Sequence, residues 1–311
     1  MTALQIGQGA ASGPGVGVGP GPRALRLKAG PQGVLLLHGL SSGPQELQFL
    51  ARGLHRAGYT VHVPVIPGYS FAGPGRALQG QRQWAAAALA EFDAMQADCA
   101  QVVVGGLCIG AVLALRVAAL RAPQVLAVLA LSTTLHYDGW ATPWTRRLLP
   151  LAAWVPGAGR IGVRETAPFG VKDERLRGWI AQQMAEAGNS AAGAAVLRVR
   201  DLLEARRLIA DVRRRLPDIS SPVLLIHARD DDAATPRSAF EVARRVASRR
   251  VHCVLLADSY HMLSIDREKH QVLAEIKQFL DPSRALRDDP ASAGTGRVIA
   301  LGGAAPFRRT Q

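Results

Sequence analysis

The sequence predicts an α/β fold, with a mostly parallel sheet covered by helices on both faces and a helical cap insertion. Short β-branched or leucine-rich runs alternate with longer alanine-rich helical patterns between about residues 24 and 281, as is typical of a buried parallel sheet. One interval between two strands is about 90 residues long, far beyond an ordinary connection. With 48% hydrophobic and 20% charged residues, the composition is that of a globular chain with a sizeable core.

Each predicted strand is an apolar run bounded by glycine, proline or polar residues. The strands are Ala24–Lys28, Gly33–His38, Thr60–Val65, Gln101–Gly105, Val125–Leu131, Val223–His227 and Val251–Leu256. Helical periodicity fills the intervals between them. The predicted helices are Pro44–Ala57, Gln81–Ala97, Ile109–Arg121, Pro236–Ser248 and Arg267–Leu280.

The long interval divides the chain into a core and an insertion. The predicted α/β core comprises residues 24–135 and 222–281, and residues 136–221 form the predicted helical cap. Residues 1–23, which are rich in glycine and proline, and residues 282–311 are predicted to be disordered.

A strand that turns sharply into a helix carries the strongest chemical signal. The apolar run 101–105 leads into Gly106-x-Cys108-x-Gly110, and an alanine-rich helix follows at once, which is the sequence context of a nucleophile elbow. The two glycines fit because so tight a turn has no room for larger side chains. Amides at the start of the helix favour a thiolate and later an oxyanion. We therefore predict Cys108 as the nucleophile; the alternative is a small buried apolar residue, as predicted for the other two cysteines.

A cysteine nucleophile needs a base, and the base needs a group to orient it. In this type of sheet both follow later strands, in the chain order nucleophile, acid, histidine. The strand at 223–227 is followed by three aspartates at 230–232, and the strand at 251–256 is followed by His261. His261 is therefore the predicted base and one of the aspartates the predicted acid. The alternatives are a surface histidine and a solvated acidic turn before Pro236.

An early strand ends in His38-Gly39, where a glycine allows the following amides to turn over the nucleophile. Backbone amides in this position form an oxyanion hole, which holds the developing negative oxygen. We predict that the amides of Leu40 and Ile109 form this hole and that His38 is structural.

Together these motifs resemble the α/β-hydrolase fold and, within it, the small bacterial carboxylesterase and monoacylglycerol lipase group, over about residues 31–281, including the run Ala228–Pro236. The resemblance implies cofactor-free chemistry on a small-molecule acyl ester or thioester. The spacing in that group identifies Asp231 as the acid, with Asp230 as its rival. The nucleophile of the group is normally serine. Cysteine at this place is known from polyhydroxyalkanoate synthases, some intracellular depolymerases and dienelactone hydrolases.

The predicted function is an acyl hydrolase of the esterase, thioesterase or lipase type, in which Cys108 forms a covalent acyl-enzyme with the help of Asp231 and His261. A thiolate attacks without strong base assistance, which favours thioesters, lactones or polyesters over ordinary esters. Two alternatives stay open. One is an acyltransferase or polyester-processing enzyme that uses the same cysteine, and the other is a catalytically silent, hydrolase-like binding protein.

The predicted cap is apolar and rich in tryptophan. Four of the five tryptophans lie in it, together with an arginine-rich helical stretch at Arg198–Arg215. We predict that Trp140, Trp144 and Trp154 contact the acyl chain of the substrate; the alternative is that they form the cap's own core.

Composition argues against several other classes of protein. The formal net charge is +13, but the arginines are scattered and no recognised nucleic-acid motif is present, so we predict no nucleic-acid partner. No apolar run reaches the roughly 18 residues of a transmembrane segment. Three cysteines without C-x-x-C spacing indicate a reducing, cytoplasmic compartment and no zinc site. Without a phosphate loop, metal cluster or nicotinamide fingerprint, no cofactor or metal is predicted, and the oligomeric state stays open.

Overall fold

The computed structural model describes residues 23–71, 79–143, 146, 149–281 and 298–301. Over these residues the chain forms one large sheet, two short strand pairs and a set of α-helices. The strands are β1 (Leu25–Leu27), β2 (Gln32–Leu37), β3 (Thr60–Val63), β4 (Gln101–Leu107), β5 (Val125–Leu131), β6 (Gly162–Arg164), β7 (Asn189–Ser190), β8 (Gly193–Ala194), β9 (Val196–Arg198), β10 (Val223–Ala228), β11 (Val251–Leu256) and β12 (Val298–Leu301). The helices are α1 (Gln48–Arg56), α2 (Gln81–Asp98), α3 (Ile109–Leu120), α4 (Glu174–Ala187), α5 (Val199–Arg215), α6 (Arg237–Arg245) and α7 (Lys269–Leu280).

Eight strands form the central sheet, in the order β1-β3-β2-β4-β5-β10-β11-β12. Neighbouring strands are parallel except for β1 and β3 at one edge, which are antiparallel. Parallel strands bring their carboxyl ends to the same edge of the sheet, where ligands bind in folds of this type. The predicted fold class is confirmed, and each predicted strand and helix has a counterpart in the structure.

Apolar side chains cover both faces of the sheet. Helices α2, α3, α5 and α6 pack on one face, where Trp84, Phe92 and Leu208 are fully buried. Helices α1 and α7 pack on the other face, where Leu50 and Ile276 belong to a second core. Because both faces are covered, the central strands are continuous apolar runs such as the VLAVLAL of β5.

The segment between β5 and α5 is an insertion beside the sheet. It contains 3₁₀ turns, the antiparallel pairs β6 with β9 and β7 with β8, and α4. Helix α5, in contrast, packs against α2 and α3, and its Ala205, Leu208 and Val212 lie in the same core as those helices. We therefore propose residues 136–198 as the cap, a shorter segment than the predicted 136–221.

One element lies in the C-terminal stretch that was predicted to be disordered. Strand β12 is hydrogen-bonded in parallel register to β11. The rest of residues 282–311, and residues 1–22 of the predicted leader, lie outside the described residues. None of the helices in the described ranges is both long and apolar enough to cross a bilayer.

Candidate active site

Cys108 lies at the junction between β4 and α3. Strand β4 ends at Leu107 and α3 begins at Ile109, so Cys108 alone makes the turn, with φ 59° and ψ −120°. A positive φ is uncommon for a residue with a side chain, and such strain is concentrated at functional positions. The Cys108 amide donates a hydrogen bond to the Leu131 carbonyl oxygen at 3.0 Å, which ties the turn to β5. The Cys108 side chain is only partly buried.

The glycines on either side of Cys108 lie against backbone atoms. A Cβ on Gly106 would lie 2.6 Å from the Leu37 carbonyl oxygen, and a Cβ on Gly110 would overlap the carbonyl oxygens of Leu37 and His38. Backbone cannot swing aside as the end of a side chain can. The close approach of β2 to the turn, together with that of the Gly110 backbone to Gly106, therefore accounts for glycine at both positions.

His261 and Asp231 form a buried pair on the loops that follow β11 and β10. Nδ1 of His261 lies 2.8 Å from Oδ2 and 2.9 Å from Oδ1 of Asp231. Oδ1 also accepts hydrogen bonds from the amides of Ala233 and Ala234, at 2.9 and 2.8 Å. Fixed amides thus hold the carboxylate, and the carboxylate orients the imidazole so that Nε2 faces away from it.

Charge moves the pKa values of this pair in opposite directions. Burial favours the uncharged forms, which raises the pKa of Asp231 and lowers that of His261. The charges and hydrogen bonds of His261 and His227 outweigh burial and bring the pKa of Asp231 below its usual value. Asp231 and the Cys108 sulfur together raise the pKa of His261 well above its usual value. The pair is therefore suited to be a carboxylate and an imidazolium when Cys108 is a thiolate.

The other two aspartates of the run have different surroundings. The Asp230 carboxylate is 56% exposed. Asp232 is buried and joins two segments, since its Oδ1 accepts from the His261 amide at 3.3 Å and its Oδ2 accepts from the Gly170 amide at 3.0 Å. The geometry places Asp231, and not Asp230, against the imidazole.

The sulfur of Cys108 lies between Thr134 and His261. Thr134 Oγ1 is 3.5 Å from Sγ. The negative charge of the sulfur raises the pKa of His261, and His261 Nε2 is buried with no hydrogen-bond partner among the described residues. Nε2 is thus available for the thiol proton.

The amides predicted to form the oxyanion hole are those of Leu40 and Ile109. Neither donates a hydrogen bond to any acceptor in the described part of the chain. Ile109 is the first residue of α3, and the first amides of a helix have no partner within it. The preceding loop amide, that of Gly39, is already bonded to Glu46 Oε2 at 2.8 Å. Two amides are therefore available to an anionic oxygen, as oxyanion chemistry requires.

Buried side chains hold the loop that carries Leu40. Nδ1 of His38 donates to the Gly39 carbonyl oxygen at 2.8 Å, and its Nε2 accepts from Ser70 Oγ at 2.8 Å. Burial lowers the pKa of His38 to about 4, so the ring is neutral at neutral pH. The Tyr69 hydroxyl donates to the His38 carbonyl oxygen at 2.7 Å. Both ring nitrogens of His38 are engaged in supporting the loop.

The three predicted substrate tryptophans do not share one environment. Trp140 is 60% exposed, donates from Nε1 to the Asp230 carbonyl oxygen at 3.0 Å, and has its ring 5.4 Å from that of Tyr260. Trp140 therefore lies beside the acid and histidine loops. Trp154 is 87% exposed. Trp144 lies outside the described residues.

The arrangement supplies the parts that acyl transfer needs. It contains a cysteine at a strained turn, a buried imidazole–carboxylate pair and two amides without an acceptor among the described residues, and these are the kinds of group that acyl transfer uses. Within the described ranges, no three His, Cys, Asp or Glu side chains are grouped so that they could hold a metal ion.

Comparison with known proteins identifies the family of the chain. Residues 31–268 match the Hydrolase_4 family, described as serine aminopeptidase, S33. The chain belongs to the Hydrolase_4 family. Membership confirms the predicted α/β-hydrolase fold and the predicted class of enzyme, a hydrolase.

Relatives of this Hydrolase_4 chain include lipases and esterases at low identity. It is 23% identical over 250 residues to a thermostable monoacylglycerol lipase of Bacillus sp. (strain H-257), covering 80% of the chain and 90% of the lipase. It is 21% identical over 256 residues to a carboxylesterase of Bacillus subtilis (strain 168), covering 82% of the chain and 94% of the esterase. A solved structure from work on LipS and LipT, two metagenome-derived lipolytic enzymes, superposes with a TM-score of 0.71 at 24% identity, covering 84% of this chain and 97% of that one. The resemblance expected from the sequence is confirmed at the level of family and fold.

Three polar side chains hold the site together through contacts that the sequence analysis did not predict. Thr134 contacts the sulfur, Glu46 binds the Gly39 amide, and Asp232 binds the His261 amide. All three are buried. The partners of Thr134 and Asp232 are 26 and 29 residues away in sequence, and that of Glu46 is seven residues away. No spacing pattern signals these contacts.

Proposed function

We propose that this hydrolase cleaves carboxylic esters and thioesters through a covalent thioester on Cys108. One observation carries the proposal: the buried His261–Asp231 pair, with Nδ1 2.8 Å from the carboxylate, meets a strained cysteine between β4 and α3. The relatives named a monoacylglycerol lipase and a carboxylesterase support ester substrates. The amides of Leu40 and Ile109, which have no acceptor among the described residues, support stabilisation of an oxyanion.

In the first half of the proposed reaction, His261 Nε2 takes the proton of the Cys108 thiol. The sulfur then attacks the carbonyl carbon of the substrate, and the carbonyl electrons move to an oxygen held by the amides of Leu40 and Ile109. When the carbonyl reforms, the bond to the alcohol or thiol breaks. The leaving group takes the proton from His261, and the acyl group stays on sulfur as a thioester.

In the second half, water replaces the leaving group. His261 removes a proton from the water, whose oxygen attacks the thioester carbonyl and forms a second oxyanion at the same amides. Collapse of this intermediate expels the Cys108 thiolate and releases the carboxylic acid. The proton on His261 returns to the sulfur, and Asp231 keeps the imidazole in one orientation throughout.

The choice of sulfur affects the expected substrate. A thiolate is a strong nucleophile but also a good leaving group, so its tetrahedral intermediate expels an ordinary alkoxide with difficulty. Thioesters and other activated acyl donors avoid this difficulty because their leaving groups are weaker bases. We therefore propose thioesters and activated esters as the preferred substrates, in a reducing compartment such as the cytoplasm, where a free thiol persists.

Trp140 is the cap side chain best placed to border the acyl group. Its indole bridges the acid loop, through the Asp230 carbonyl, and the histidine loop, through the Tyr260 ring. Trp154 is 87% exposed, and among the described residues it has no side-chain hydrogen bond or ring contact like those of Trp140.

Intact-mass measurement tests the proposal. The protein is incubated with acyl p-nitrophenyl esters and acyl thioesters of several chain lengths, and free acid is measured in parallel. We expect a transient adduct of one acyl mass, faster with thioesters, and release of acid. Cys108→Ala should form no adduct, while Cys253→Ala, which removes a buried cysteine, should behave as the parent protein.

The same measurement separates the alternatives. An adduct that persists in water and is removed only by an added alcohol, amine or thiol would establish an acyltransferase instead. Absence of both adduct and acid with every donor would contradict an enzymatic role and leave a hydrolase-like binding protein.

A further inference from the structure

The hydroxyl of Thr134 occupies a position beside the candidate nucleophile that neither the base nor the oxyanion amides fill. Thr134 follows β5 and is fully buried. Its Oγ1 lies 3.5 Å from Cys108 Sγ and 3.1 Å from the Ser132 carbonyl oxygen. Ser132 has φ 41°, so the chain bends at the end of β5 and brings Thr134 to the sulfur.

A threonine hydroxyl has one proton, so Thr134 cannot donate to both neighbours at once. When Cys108 is a thiol, the hydroxyl donates to the Ser132 carbonyl oxygen and its own oxygen can accept the S–H. When Cys108 is a thiolate, the hydroxyl can turn and donate to the negative sulfur. His261 Nε2 has no hydrogen-bond partner in the described part of the chain in the same arrangement, so the side chain bonded to the sulfur here is Thr134.

We propose that Thr134 is a catalytic residue, whose hydroxyl donates a hydrogen bond to the Cys108 thiolate whenever the sulfur is negative and returns to the Ser132 carbonyl when it is not. This inference rests on the proposed role of Cys108 as nucleophile. A hydrogen bond to the charged form of a group favours that form, and bonds to ions are stronger than bonds between neutral groups. Thr134 therefore increases the fraction of ionised sulfur.

The same hydrogen bond acts at a second point in the reaction. The sulfur is neutral in the acyl-enzyme and becomes negative again as water displaces it. A donor that strengthens as charge grows on the departing sulfur stabilises that transition state more than the thioester before it. Loss of the hydroxyl should therefore slow deacylation as well as reduce ionisation of the free thiol.

The titratable groups near the sulfur define the background for a pH measurement. Tyr69 and Tyr137 face Cys108, and burial together with the charge of the sulfur raises the pKa of each well above its usual value, so both stay neutral. His261 is the positive group facing the sulfur. Its charge is in turn influenced by Glu46, Glu165, Asp231 and Asp232.

Two substitutions of Thr134 distinguish the effect of its hydroxyl from the effects of these titratable groups. Thr134→Val keeps the shape of the side chain and removes the hydroxyl, whereas Thr134→Ser keeps the hydroxyl and removes the methyl group. The rate of Cys108 alkylation by iodoacetamide is measured by peptide mass from pH 4 to pH 10. Alkylation needs a thiolate but no acyl substrate, so it does not depend on turnover.

We expect the midpoint of the alkylation profile of Thr134→Val to lie about one pH unit higher than that of the parent, which is a roughly tenfold lower rate below the midpoint. Thr134→Ser should stay within about twofold of the parent. Hydrolysis of a preformed acyl adduct should slow in Thr134→Val and not in Thr134→Ser. If Thr134→Val does not fold, as judged by circular dichroism, Thr134→Ala provides the same comparison.

An unchanged alkylation profile in Thr134→Val would overturn the inference, as would a Thr134→Ser protein as impaired as Thr134→Val, because packing would then explain the effect. These outcomes are distinct from failure of the proposed function. A shifted profile in a protein that forms no acyl adduct with any donor supports the hydrogen bond and contradicts the hydrolase. Normal formation of the acyl adduct with an unshifted alkylation profile supports the hydrolase and contradicts the hydrogen bond.

Discussion

At the scale of single residues, three consecutive aspartates have three different environments. Asp230 has an exposed carboxylate, Asp231 binds the imidazole, and Asp232 binds two backbone amides. The difference comes from the end of β10: a turn in which the Asp231 carboxylate accepts from Ala233 and Ala234 directs that side chain inward. Neighbours with the same chemistry thus provide matched controls for one another.

Asp231→Asn should reduce kcat/KM for an acyl thioester by about 10³-fold or more, because an amide can hold the imidazole in the wrong tautomer and cannot stabilise its positive charge. Asp230→Asn should stay within about twofold of the parent. Initial rates with a chromogenic thioester measure both. A greater loss in Asp230→Asn than in Asp231→Asn would assign the acid to the other residue.

At the scale of elements, the junction of β4 and α3 depends on close approach of backbone to backbone. A Cβ on Gly110 would overlap carbonyl oxygens of Leu37 and His38, at the end of β2 and the start of its loop. Gly178 in α4 is the contrast, since a Cβ there would meet nothing within 4 Å. The same substitution at the two sites should therefore have opposite effects.

Gly110→Ala should lower the free energy of unfolding by about 3 kcal/mol or more, because β2 and α3 must move apart. Gly178→Ala should raise it by about 0.5–1 kcal/mol, since alanine is the better helix former. Urea unfolding followed by circular dichroism gives both values. A Gly110→Ala protein as stable as the parent would show that the turn adapts to a side chain.

The sequence predicted the central elements well because their signal is local. Strands β5 and β11 match the predicted limits, since each is an uninterrupted apolar run with polar or turn residues at its ends. Strand β4 runs two residues further than predicted, through Gly106 and Leu107, because both pair with β2 or β5. Pairing partners of this kind are not visible in a local pattern.

Helix α4 was not predicted, although its ends carry recognisable signals. The Asp173 side chain accepts a hydrogen bond from the Leu176 amide at 2.9 Å, and Gly188 follows the last turn in a left-handed conformation. An aspartate cap and a terminal glycine could have located both ends. The pattern of apolar residues inside the helix gave little help, because Ile180 and Met184 are its two buried residues and two positions do not define a periodicity.

The candidate site was predictable in part for a topological reason. Parallel strands end at one edge, so the chain order of nucleophile, acid and histidine was enough to identify Cys108, the aspartate run and His261 as neighbours. The contacts of Thr134 and Glu46 depend on how side chains pack across that edge. Such packing follows from the assembled fold and has no signature in sequence spacing.

At the scale of the whole molecule, Glu46 links stability to pH. Burial raises the pKa of Glu46 to about 7, against the lowering effect of the hydrogen bond from the Gly39 amide. The folded protein therefore holds a proton on Glu46 that the unfolded chain loses at lower pH. The resulting contribution to stability is complete below about pH 4.5 and is lost as pH rises through about 7.

Glu46→Gln removes this titration and keeps an oxygen that can accept from the Gly39 amide. The stability of Glu46→Gln relative to the parent should rise by about 3 kcal/mol between pH 4 and pH 8. Glu186→Gln, on the exposed side of α4, should show a difference that stays within about 0.5 kcal/mol. Urea unfolding at several pH values checks both, and a flat difference for Glu46→Gln would mean that Glu46 ionises normally in the folded state.

The outermost strands of the large sheet are β1 and β12, of three and four residues, whereas β2, β4, β5, β10 and β11 have six or seven. An open strand edge is a template on which another polypeptide can add and start a fibril. Here each of the longer strands is hydrogen-bonded to a neighbouring strand of the same chain on both sides. Among the strands that the structure describes, β1 and β12 are the two with an open edge, and both are too short to bind another polypeptide firmly. Strand β12 also covers the edge of β11, the strand that leads into the histidine loop.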